Sequence, residues 1–76
     1  MVGKHLNEIP VVFYLSSLGG GLWEVRSSLP SHRISRVLFC VHDGQLFILH
    51  GFIKKTQKTP QDEIELAEKR MKEITT

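Results

Sequence analysis

"RISRVLFCVHDGQLFILHGFI", residues 33–53, is the stretch on which the fold turns. Two apolar runs flank Asp43-Gly44. An Asp-Gly pair in that setting signals a two-residue hairpin, because both central positions of a type I′ turn need positive φ. Residues 33–42 therefore read as one strand and 45–53 as the strand that returns beside it. From Val37 to Val41 every residue is apolar, which predicts a central strand covered on both faces. The returning strand is apolar on both faces too.

Toward the N-terminus, "LWEVRSSL" (22–29) alternates. Trp23, Val25 and Ser27 point one way, and Leu22, Glu24 and Arg26 the other. That is a strand with one wetter face. "PSH" (30–32) separates it from the next strand. "SLGGGL" (17–22) marks a sharp turn, since glycine enters positive φ without steric cost. Before it, "VVFYL" (11–15) follows Pro10 and reads as a short strand or an extended arm.

Toward the C-terminus, "HGFIKKTQKTP" (50–60) leaves the last strand through a lysine cluster. Residues 59–74 then predict a helix. Thr59 suits the N-cap and Pro60 the first helical position, with Asp62 and Glu63 at the positive end of the dipole. Lys69, Arg70 and Lys72 lie toward the negative end. Ile64, Ala67, Met71 and Ile74 form one apolar stripe at helical spacing, read as core.

The expected fold is α+β: a small antiparallel meander of three to four strands with a C-terminal helix, forming one domain over residues 1–76. One helical stripe cannot cover two apolar sheet faces. The second face is left for the N-terminal arm, a second copy of the chain, or a partner protein.

Bulk composition narrows the class. The 76 residues are 41% hydrophobic and 24% charged, as in an ordinary globular domain. Cys40 is the single cysteine, so no intrachain disulfide forms, which favours a reducing, cytoplasmic setting. "MVGKHLNEIP" has no apolar signal core, and no apolar run approaches the roughly 20 residues of a membrane span. Net charge is +2, but it is unevenly spread. Residues 22–58 hold six bases against two acids, whereas 62–68 hold four acids and no base. A basic middle suits an anionic partner.

Three segments carry a family resemblance: "LGGGLWEVRSSLP" (18–30), "RISRVLFCVHDGQLFILHGFIKKTQKTP" (33–60) and "EIELAEKRMKEI" (63–74). Together they resemble the phage-derived, HigB-like branch of the RelE/ParE toxins of type II toxin–antitoxin modules, over roughly residues 10–74. "GLWEVR" and "LHGFIKKTQKTP" are its most specific parts. The resemblance implies an antiparallel sheet with a C-terminal helix, and a metal-independent endoribonuclease that cuts mRNA on the ribosome with no cofactor. It also implies a helix-turn-helix antitoxin as the neutralising partner. Members of that branch carry an N-terminal strand and helical hairpin against the sheet, and this sequence matches only the tail of that region. The expectation is a short form whose uncovered sheet face makes it a homodimer in isolation.

The resemblance also assigns roles. In such enzymes the ribose 2′-oxygen attacks the adjacent phosphorus, and fixed cations stabilise the charge gathering on the phosphate. Arg36 falls where relatives place a phosphate-binding arginine, whose planar fork matches phosphate oxygens. Lys54 and Lys55 leave the last strand where relatives supply catalytic cations. His50 is the candidate proton carrier, its ordinary pKa being about 6.5. Arg26, Gln57 and Lys58 are candidate RNA contacts. Each has a plainer reading. Arg36 and Arg26 could pair with Glu24, the lysines could be a solvated connection, and His50 could be a satisfied core residue. Trp23 and Phe52 could stack bases but sit among apolar neighbours. Cys40 reads as a small buried hydrophobe, and the four scattered histidines show no zinc spacing.

Two functions follow. One is a toxin that cleaves mRNA. The other is an inactive toxin-like domain that dimerises or binds an antitoxin.

Overall fold

The computed structural model describes residues 12–56 and 58–75. Four strands, β1 (Phe13–Gly19), β2 (Leu22–Leu29), β3 (Arg33–His42) and β4 (Gln45–Lys54), precede one helix, α1 (Gln61–Thr75). They form an antiparallel meander in the order β1-β2-β3-β4. Asp43 and Gly44 take φ of 53° and 73°, as the Asp-Gly signal requires. At the other hairpin, Gly20 and Gly21 have φ of 63° and 89°, values an L side chain adopts only at a cost. "VVFYL" resolves as a strand rather than an arm from Phe13 onward. "MVGKHLNEIP" and Val11 lie outside the described residues.

Helix α1 crosses one face of the sheet. Ala67 is buried there against Leu22, Leu38, Cys40 and Leu49, with Ile64, Met71 and Ile74 packed around them. Each fully buried leucine contributes roughly 1.5–3 kcal/mol relative to exposure. The apolar stripe of the helix is core, and Cys40 is a free, buried thiol.

The helix begins later than its sequence suggests. Glu63 and Ile64 donate their backbone N–H groups to the Pro60 carbonyl, at 3.2 and 3.3 Å, so Pro60 takes the capping position. Thr59 does not cap, because its hydroxyl donates to the Glu24 carboxylate instead. Asp62 accepts from the Glu63 N–H at 3.0 Å.

A β-bulge shapes the last strand. Leu38 pairs with His50 and Phe39 with Ile48, so Leu49 is an extra residue in β4. Leu49 and His50 consequently both turn toward the helix, where strict alternation would separate them. Arg70 of α1 donates to the Leu49 carbonyl at 2.7 Å and ties the helix to the bulge.

Two expectations are corrected. Among the described residues, central strand β3 is covered on one face only. On the other face Val41, Leu46, Ile48 and Ile53 are each more than half exposed. The charged side of β2 is not the wetter one either. Glu24 is buried under the helix-bearing layer, while Trp23 stands 37% exposed on the open face. Period-two alternation separates two faces but does not say which is covered. No helix among the described residues is long and apolar enough to cross a membrane.

Candidate functional site

The register lines up three rows across the face that α1 shares. Tyr14, Arg26, Arg36 and Phe52 are cross-strand partners in one row. Ser16, Glu24, Leu38 and His50 make the row before it, and Ser28, Ile34 and Lys54 the row after it. The helix occupies the early rows. The end of the sheet with Arg26, Ile34 and Lys54 is also the end at which the basic connection 55–60 departs.

Glu24 is the hub of a buried network. Its Oε2 lies 3.7 Å from Arg36 Nε and accepts the Thr59 hydroxyl, while its Oε1 lies 3.6 Å from Arg26 Nε. Arg36 has no solvent exposure. Its Nη2 donates to the Thr56 carbonyl. Burial pulls the Arg36 guanidinium below its ordinary pKa; Glu24 opposes that shift and Arg26 adds to it. Thr56 and Thr59 bracket the segment carrying Lys58, so one buried ion cluster pins that loop to the sheet.

A second cluster lies where β4 meets the first turn of α1. His50 Nε2 is 2.5 Å from Glu63 Oε1, and Lys54 Nζ is 3.3 Å from Glu63 Oε2. The His50 ring also lies 5.3 Å from that of Phe52, centroid to centroid, tilted by 31°. The hydrogen bond from His50 holds the Glu63 carboxyl below its usual range; partial desolvation opposes this, and Lys54 reinforces it. A carboxylate on one ring nitrogen fixes the imidazole's orientation. His50 and Glu63 are mostly shielded, with side chains 18% and 16% exposed, whereas Lys54 is 41% exposed.

The sequence candidates therefore divide. His50 and Lys54 converge on Glu63. Lys55 and Lys58 are exposed on the connection that follows Lys54 in the chain, and Gln57 lies outside the described residues. Arg26 is partly exposed at the rim of the Glu24 cluster. Arg36 is sealed beneath the loop, out of reach of a ligand while Thr56 and Thr59 stay in place. Phe52 packs on the core, and Trp23 stands on the opposite face. Sequence reading passed over Glu63 because an acid in a first helical turn is fully explained by the helix dipole. The bulge that turns His50 toward it had one local signal, the isolated Gly51 beside His50, which marks a bulge inside a strand pattern. Among the described residues no group of three or more His, Cys, Asp or Glu is placed to hold a metal ion.

The family model described as "Phage derived protein Gp49-like (DUF891)" matches residues 5–72. The chain belongs to the phage-derived Gp49-like family. The match spans the whole described sheet and nearly all of α1, so it includes both ion clusters of this Gp49-like chain. Membership is compatible with a toxin-like module. No curated protein and no solved structure matches the chain.

Proposed function

We propose that this Gp49-like chain is the toxin of a type II toxin–antitoxin module and cleaves mRNA in the cytoplasm, on the ribosome. The observation that carries this reading is the His50–Glu63–Lys54 constellation beside the exposed lysines. It joins a proton carrier, a carboxylate that orients it, and a cationic loop suited to a polyanion.

In this reading the ribose 2′-hydroxyl loses its proton as its oxygen bonds to the neighbouring phosphorus, and the 5′-oxygen leaves with a proton. His50 is the group that exchanges protons, and Glu63 holds the imidazole in place. Lys54, Lys55 and Lys58 stabilise the charge on the phosphate oxygens. Arg26 and Gln57 contact the RNA strand. The burial of Arg36 supports a positioning role, holding the lysine-bearing loop through Thr56 while Glu24 holds Thr59. A helix-turn-helix antitoxin is the proposed neutralising partner.

Induced expression tests the reading. Wild-type protein is expected to arrest growth, and both His50→Ala and Lys54→Ala/Lys55→Ala to relieve the arrest while remaining folded by circular dichroism. Normal growth with abundant, soluble wild-type protein would refute it.

The open sheet face favours a second reading, in which the chain is a module that joins a second copy of itself. Four strands about 4.8 Å apart and eight or so residues long present roughly 500 Å² per face. Pairing two such faces buries roughly 1,000 Å², the lower bound of a specific interface. Apolar residues dominate the patch: Phe13, Leu15, Trp23, Val41, Leu46 and Ile48 are all exposed. Pairing and cleavage use opposite faces, so both readings can hold together.

A further inference from the structure

Beyond the helix, on the face that carries the Glu24 cluster, the sheet holds a cavity of about 310 Å³ lined by Tyr14, Arg26, Ser27, Ser28 and Ile34. Neither the buried network nor the His50 cluster uses Tyr14, which is 57% exposed. We propose that this cavity is a nucleotide subsite for single-stranded RNA, in which Tyr14 stacks on one base and Arg26 meets the adjoining phosphate. The proposal rests on the endoribonuclease reading and deepens it by placing the strand next to the scissile step.

Four observations converge. The lining combines one aromatic ring, one guanidinium, hydroxyl-bearing serines and an aliphatic wall, which are the groups that hold an unpaired base and its backbone. Two guanidiniums, Arg26 and Arg36, share the single carboxylate of Glu24, so the floor keeps a net positive charge. Ile34 on the cavity wall pairs across strands with Lys54, which brings the cavity alongside the His50–Glu63–Lys54 cluster. A second hollow, of about 380 Å³, shares Ser28 and Ile34 and continues to His32 and Arg33. The two together form a track with cationic groups at both ends, as a strand of more than one nucleotide needs.

A hexanucleotide RNA with 2′-O-methyl riboses binds without being cut and serves as the probe. Titrated into isotope-labelled protein, it is expected to shift the amide resonances of Ser28 and Ile34 and the ring resonances of Tyr14. By fluorescence anisotropy, Tyr14→Ala should weaken binding by roughly tenfold or more, the value of one base stack. Tyr14→Phe keeps the ring and should bind like the wild type. Free adenosine monophosphate should bind far more weakly than the hexanucleotide. Shifts confined to Lys55 and Lys58, with Tyr14→Ala binding normally, would overturn the subsite and leave the endoribonuclease reading standing. Absence of any shift or binding, together with absence of RNA cleavage by the wild type, would overturn both. Tyr14 is an exposed edge-strand residue, so its variants test the ligand rather than the fold.

Discussion

Glu24 joins three other side chains, those of Arg26, Arg36 and Thr59. It is buried between two arginines and a threonine hydroxyl, and it draws the sheet and the basic loop into one network. Removing one member of a buried ion pair strands the other in low dielectric, at a cost of roughly 3–5 kcal/mol. Glu24→Gln should therefore lower the urea-unfolding free energy by about 3 kcal/mol. Glu24→Leu/Arg36→Met, which removes both charges, should recover most of that loss, and equal losses in the single and double variants would contradict the pairing. Glu63 gives a pH signature. Its carboxyl titrates lower folded than unfolded, so its stabilisation is complete above about pH 4.5 and disappears as pH falls through the depressed folded value. Glu63→Gln should flatten the acid limb of a stability-versus-pH curve. At this scale the sequence was only partly legible. Charge type and alternation brought Glu24, Arg26 and Arg36 onto one face, but depth of burial depends on the returning loop, and no local pattern encodes that.

Element by element, β2, β3 and β4 were read almost to the residue, because Asp43-Gly44, the triple glycine and Pro30 punctuate them, whereas the first strand was placed at 11–15 and runs from Phe13 to Gly19. Two other departures depend on long-range contacts. Thr59 has the chemistry of an N-cap, yet Glu24, far away in sequence, takes its hydroxyl. The bulge at Leu49 has only Gly51 as a local sign, and its position emerges from the register between β3 and β4. Arg70 makes the bulge testable. Its guanidinium donates to the Leu49 carbonyl, and a charged hydrogen bond is worth roughly 1.5–3 kcal/mol. Arg70→Ala should lower stability by about 1.5 kcal/mol. It should also broaden the His50 ring resonances, because the helix and bulge then lose register together. An unchanged His50 signal would separate the bulge from the site.

The whole molecule is a sheet with two unlike faces. One carries the helix, the ion clusters and the basic loop, and the other, among the described residues, is apolar and open. The imbalance was legible in the sequence as one helical stripe against two apolar sheet faces. What covers the open face was not, since apolar surface specifies burial and not a partner. Light scattering should give twice the chain mass at micromolar concentration, and Ile48→Lys, at a 69% exposed position on the open face of β4, should return a monomer. A wild-type monomer would contradict pairing through this face. The central claim concerns the opposite face and is tested most directly by the chemistry at RNA ends. Ribosomes programmed with a defined mRNA are incubated with the protein, and the 3′ ends of the fragments are analysed by mass spectrometry. The account predicts 2′,3′-cyclic phosphate ends with wild-type protein and none with Lys54→Ala/Lys55→Ala. Intact mRNA, or fragments that form equally with the double variant, would contradict it.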